Sequence, residues 1–189
     1  MVRGVKNPLW FELGSRLSQV REIQAITLLD LGVRSCVARN TIANIERGKA
    51  QPSIDTVERI AAALGISACW LAFGVDGKER FQARIRRLGL KDKVPRGSEQ
   101  FAFEGLHAGC HERLRARREV YGLSLRELAE RSGVSHQTIR NVEKGIQVPR
   151  VDSVHRLAVS LDLAPCWLAY GIGRKPGRVL RDNDSAAVI

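Results

Sequence analysis

The chain has 189 residues, 31 Lys and Arg against 20 Asp and Glu, and a formal net charge of +11. A hydrophobic fraction of 44% with 27% charged residues excludes wholesale disorder, and the length allows one or two domains. Aromatic residues make up only 5%, so the core is aliphatic, small and helical, and the positive excess points to a polyanion, nucleic acid or an acidic membrane surface.

The first eight residues, Met1 to Pro8, lack the apolar stretch of an export signal. The longest uncharged run is sixteen residues, between Arg59 and Asp76. That is short of the roughly 20 apolar residues of a bilayer span, so it predicts a buried helix pair and no membrane partner. Four cysteines do not make a disulfide scaffold, and a reduced cytoplasmic setting is the expectation.

An internal repeat organises everything between. Shifted by 97 positions, residues 16–74 lie on 113–171 without a gap, with 25 identities in 59 positions. The period is too long for a solenoid unit of roughly 20–50 residues. It predicts a duplicated domain, in an all-α chain divided into a first unit at 10–74, a basic linker at 75–105, a second unit at 106–171 and a flexible tail at 172–189.

The first unit is the divergent one. Gly32 stands inside its second helix, where the second unit has Ala129, at a cost of up to about 1 kcal/mol. Cys36 replaces a turn glycine and Ala38 a capping serine. Its outward positions on the third helix are Arg39, Asn40, Ala43 and Asn44, followed by Arg47 and Lys49. Cys69, beside Trp70, repeats as Cys166 beside Trp167, which marks both cysteines as core residues. In the linker a short helix is predicted around 78–88, carrying Arg84, Arg86 and Arg87. Val94-Pro95-Arg96-Gly97-Ser98 resembles a thrombin-type cleavage sequence and predicts an exposed segment. Phe101 and Phe103 are candidates to pack on the second unit.

The second unit predicts five helices. The first spans about 107–121 and stops at Gly122. Ser124-Leu125-Arg126-Glu127 is a capping box that opens the second, with Leu125, Leu128 and Ala129 on one face. Gly133 ends it, and Ser135 caps a third helix with Ile139 and Val142 inward. Gly145 ends the third helix, and Pro149 precedes a fourth over about 151–161. A short fifth helix follows around Pro165–Ala169.

Two short helices joined by a tight glycine turn, the second of them amphipathic, form a helix-turn-helix. The stretch from Leu125 to Gly145, with Leu128-Ala129, Gly133-Val134-Ser135 and Ile139 to Glu143 and Gly145 in register, resembles the lambda-repressor-like (Cro/repressor, XRE) DNA-binding domain. The resemblance covers about 111–171 and, through the repeat, about 14–74. It implies two tandem domains, each of about five helices, and structural ion pairs Arg118–Glu143 and Arg21–Glu46. It also implies double-stranded DNA as the partner, with the third helix in the major groove. His136, Gln137, Arg140 and Asn141 would then meet base edges; amides suit adenine and Arg suits guanine. Ser124 and Lys144 would meet phosphates, although Ser124 serves equally as a cap. Leu125 departs from the glutamine common at that position and removes one expected contact. In the first unit the corresponding candidates are Arg39, Asn40, Asn44, Arg47 and Lys49. Only Asn44/Asn141 is shared between the two sets of outward positions, so the two units would read different sequences.

The expected function is therefore a sequence-specific DNA-binding transcriptional regulator, a repressor in its simplest form, associated with the prokaryotic nucleoid. The alternative is a protein-interaction module of antitoxin or antiactivator type on the same fold. No enzyme signature is present: no phosphate loop, no His-Glu-x-x-His, no nucleophile elbow. His107, Cys110 and His111 share one predicted helix but lack the paired spacing of a structural zinc site. No cofactor, metal or small-molecule ligand is expected. A monomer using both units and a homodimer using the second units both fit.

Overall fold

The computed structural model describes residues 8–75 and 105–173. The predicted linker helix, the cleavage-like sequence, Phe101 with Phe103, and the tail beyond Gly173 lie outside the described residues. The fold is all-helical. The first unit contains α1 (Pro8–Ile23), α2 (Leu28–Ser35), α3 (Arg39–Glu46), α4 (Ile54–Leu64) and α5 (Ala68–Phe73). The second contains α6 (Cys110–Val120), α7 (Leu125–Ser132), α8 (His136–Glu143), α9 (Val151–Ser160) and α10 (Pro165–Tyr170). No helix of the described residues is long and apolar enough to cross a membrane.

Local chemistry sets the boundaries. The Ser124 side chain accepts from the Glu127 N–H at 3.2 Å while the Glu127 carboxylate accepts from the Ser124 N–H at 2.7 Å, a complete capping box. Thr27 caps α2 by accepting from the Asp30 N–H at 3.1 Å. Ser135 caps α8 by accepting from the Thr138 N–H at 3.1 Å. Ala38 offers nothing to α3. The helix before the second unit's capping box starts later than periodicity predicts, at Cys110 rather than about 107. Residues 106–109 form turns instead, because Glu58 of the first unit takes the Leu106 N–H at 2.6 Å and the His107 N–H at 3.2 Å. A long-range acceptor has replaced the first helical turn.

Burial follows the repeat. Leu17/Leu114, Leu31/Leu128, Ile42/Ile139, Ile45/Val142, Ile54/Val151 and Leu71/Leu168 are all buried at equivalent places. In each unit the first helix packs on the third and fifth, and the second on the third and fourth. These buried residues and their partners form one continuous apolar cluster that runs through both units.

The units meet along Pro52–Ile54 and Pro149–Val151. The Ile54 N–H donates to the Pro149 carbonyl and the Val151 N–H donates to the Pro52 carbonyl, each at 3.1 Å. Ser53 and Arg150 form an antiparallel bridge between them. The Tyr170 hydroxyl, fully buried, donates to the Ile54 carbonyl at 3.1 Å. Cys69 and Cys166 are neighbours where α5 packs on α10. The Cys166 thiol beside it and burial hold the Cys69 thiol far above its ordinary range, and burial pushes Cys110 up to about 12. Both are core residues, not nucleophiles.

Candidate nucleic-acid interface

The positions of α3 and α8 are set by buried charge. Arg118 makes two hydrogen bonds to Glu143, at 2.7 and 2.8 Å, and a third to the Leu123 carbonyl at 2.7 Å. Arg21 does the same with Glu46, at 2.7 and 3.0 Å, and with the Ile26 carbonyl at 3.2 Å. The paired side chains are at most 15% exposed. Each guanidinium is pushed above its ordinary range, chiefly by its bond to the carboxylate. Each pair ties the C-terminus of the third helix to the first helix, so the helix cannot swing out without stranding two charges.

With its inner side tied down by Ile139 and Val142, α8 turns the rest outward. His136, Gln137 and Arg140 are exposed and Asn141 is half-buried. The Gln137 amide donates to the Asn141 carbonyl oxygen at 3.2 Å. That is a bond between the two amides, and it orients both along one edge of the helix. Lys144 and Ser124 are exposed, and the Ser124 hydroxyl is occupied by its cap. Thr138 is half-buried and its hydroxyl bonds to that of Ser135 at 2.8 Å. On α3 and just beyond it, Arg39, Asn40, Asn44, Arg47 and Lys49 are exposed, and Ala43 is half-buried. By helical spacing the exposed candidates on each third helix share one side of it, while Ser124, Lys144, Arg47 and Lys49 lie outside those helices. Among the described residues, no hydrogen bond or ion pair holds the side chains of His136, Arg140, Lys144, Arg39, Asn40, Asn44, Arg47 or Lys49.

Most of the polar residues shared by the two units have a different task. Arg16 donates to the Leu71 carbonyl at 3.0 and 3.1 Å, and Arg113 to the Leu168 carbonyl at 2.9 Å. Arg59 donates to the Cys36 carbonyl at 3.1 Å, and Arg156 to that of Gly133 at 2.8 Å. Ser35 and Ser132 each donate to the carbonyl one turn back at 2.6 Å. The helix-turn-helix motif does not single out these frame residues, but the repeat marks them: each keeps its identity across 97 positions. The histidines and cysteine on the predicted first helix of the second unit do not assemble a site. His107 bonds Glu58 through Nδ1 at 2.8 Å, His111 bonds the Ala108 carbonyl at 2.7 Å, and Cys110 is buried. Among the described residues, no group of three His, Cys, Asp or Glu side chains could hold a metal ion.

Two helix-turn-helix units, each with a capped or tied third helix presenting an open polar edge, define a helix-turn-helix protein. The family model HTH_3, helix-turn-helix, matches residues 17–71 and 114–168, more than half of the chain, and the chain belongs to that family. Among curated proteins, it is 35% identical over 54 residues to the immunity repressor protein of Bacillus phage phi105, which is 29% of this chain and 38% of that one. It is 42% identical over 48 residues to an uncharacterized HTH-type transcriptional regulator of Mycobacterium tuberculosis, 25% of this chain and 34% of that one. The chain thus spans little more than a third of the length of the curated relatives it matches. No solved structure matches the chain.

Proposed function

We propose that this chain is a sequence-specific DNA-binding transcriptional regulator that represses by occupying a promoter. The observation that carries this reading is the outward edge of α8. Amide, imidazole and guanidinium groups stand exposed at the start of a helix whose frame is locked by the Arg118–Glu143 pair. Amides and Arg are the groups that discriminate bases, at roughly 1–3 kcal/mol for each bidentate pair. His136, Gln137, Arg140 and Asn141 enter the major groove, and Ser124 and Lys144 approach phosphates. Arg39, Asn40, Asn44, Arg47 and Lys49 do the same for the first unit. The names of the matched relatives, a repressor and a transcriptional regulator, point the same way. The net charge supports association with a polyanion: units, linker and tail are each net positive.

One observation favours the rival reading, a module that holds a protein partner. The first unit exposes Leu29 and Val33 beside Cys36, around a groove also lined by Gly32, Val37, Ala38 and Arg39. A gel-shift salt titration on the DNA flanking the chain's own gene decides between them. Specific binding that falls steeply with salt supports the regulator. Gln137→Ala then weakens only the cognate site, whereas Lys144→Ala weakens all sequences alike. Absence of binding at low salt removes the DNA reading, and equal losses on cognate and random DNA for Gln137→Ala remove its base-reading role.

A further inference from the structure

The contact between the two units has a symmetry of its own. Moving along the repeat by 97 positions turns Ile54 into Val151 and Pro52 into Pro149. The bond from Ile54 N–H to the Pro149 carbonyl therefore maps onto the bond from Val151 N–H to the Pro52 carbonyl, and both are 3.1 Å long. The bridge between Ser53 and Arg150 maps onto itself. So does the meeting of Cys69 with Cys166, and so does the packing of α5 on α10. Reciprocity of this kind marks a two-fold contact, in which residue i touches j and j touches i. Two units related by simple translation along the chain would not give it.

The same operation carries α3 onto α8, because each is tied to its unit by the same bonds. The outward edges it superposes are not the same. Arg39, Asn40 and Ala43 stand where the second unit has His136, Gln137 and Arg140. Two further side chains hold the arrangement and have no mirror image. Glu58, 3% exposed, binds the Leu106 and His107 N–H groups and the His107 ring, and its counterpart is His155. The Tyr170 hydroxyl binds the Ile54 carbonyl, and its counterpart is Phe73, which has no hydroxyl.

We infer that one chain is a complete operator-binding unit, a covalent counterpart of a two-fold dimer. Its ligand is a DNA duplex with two half-sites in inverted orientation and of unlike sequence. This inference rests on the DNA-binding reading above and adds stoichiometry, orientation and asymmetry to it. Duplex DNA has local two-fold axes perpendicular to its length, so a two-fold pair of reading edges matches inverted half-sites and mismatches direct repeats.

The test uses the full chain and a randomised duplex pool. Selected sequences are aligned, and the complex with the selected duplex is weighed by native mass spectrometry. The expected result is one chain on one duplex with two unlike, inverted half-sites. Asn40→Ala then relaxes the sequence preference in one half-site and Gln137→Ala in the other. Reversing one half-site to make a direct repeat weakens binding by about tenfold or more, since several base contacts are lost together. Two chains per duplex, direct repeats, identical half-sites or a single half-site each overturn this inference and leave DNA binding standing. Selection of no sequence at all overturns the DNA-binding reading and this inference together.

Discussion

The two units carry the same backbone on different side chains, and the clearest case is the left-handed turn. Among the described residues, three that are not glycine have positive φ: Ala25 at 53°, Cys36 at 52° and Asp162 at 49°. Each has a glycine at the equivalent place in the other unit: Gly122 at 64°, Gly133 at 64° and Gly65 at 66°. The fold demands a left-handed residue at these points, and only one unit at each point supplies the residue that adopts it without strain. The first unit keeps the frame and loses the local chemistry around its helix-turn-helix. Leu29, Val33, Cys36 and Ala38 stand where the second has Arg126, Glu130, Gly133 and Ser135. Where the first unit lacks these local signals, long-range bonds carry the frame.

The strongest way to break the comparison is to cut the shared frame. Arg118→Ala leaves the Glu143 carboxylate, 8% exposed, without its partner, and Arg21→Ala does the same to Glu46, at 10%. Breaking such a pair from one side costs about 3 kcal/mol. Urea unfolding is expected to show losses of that size, alike for the two variants. A loss confined to Arg118→Ala would mean that the first unit does not rely on its pair.

The second test separates the units. Gly14 of α1 lies against the end of α3, where an added Cβ would stand 2.5 Å from the Ile45 carbonyl oxygen and 2.8 Å from that of Glu46. Its counterpart is His111, in the first turn of α6. Gly14→Ala is expected to destabilise by about 2 kcal/mol through overpacking against backbone, and His111→Ala by much less. Thermal melts of the two variants make the comparison, and equal shifts would refute it.

The pairing of a close-packed glycine with a histidine was not legible in the sequence, and the reason is general. The helices of the second unit were legible because their caps act over three or four residues: Ser124 with Glu127, Ser135 with Thr138, Gly133 at the turn. Burial was legible from the repeat, since Leu31/Leu128 and Ile42/Ile139 recur in register. The Arg–Glu pairs were reached through the family pattern. The late start of α6 was not, because Glu58 lies 48 residues from the Leu106 N–H it captures. Nor was the contact of the two units: its reciprocal bonds are made by backbone groups of Pro52, Ile54, Pro149 and Val151, which leave no side-chain signature, and the Tyr170 hydroxyl reaches an Ile54 carbonyl 116 residues away.

Smaller effects come from giving the first unit what the second has. Cys36→Gly relieves the left-handed strain at φ 52° and removes an exposed thiol. It is expected to stabilise by about 1 kcal/mol. Gly133→Cys, the reverse exchange, should destabilise by a similar amount. A loss of stability in Cys36→Gly would show that the cysteine has packing value in the groove it lines.

Ala38→Ser tests whether a local cap adds to a frame already tied at its far end. In the second unit the Ser135 hydroxyl accepts from Thr138 N–H, and the residue three positions after Ala38 is the matching Thr41. Ala38 leaves the start of α3 without a side-chain acceptor. Its φ and ψ of −55° and 133° are close to the −59° and 142° of Ser135, so a serine there needs no backbone change. A gain of somewhat under 1 kcal/mol is expected, at the low end for N-caps because the Arg21–Glu46 pair already limits fraying of α3. Amide exchange at Thr41 is the direct measurement. Slowed exchange there with unchanged exchange in α8 means that the two third helices differ in local capping and agree in frame. Slowed exchange in both would mean that the contact between the units transmits the stability of one helix-turn-helix to the other.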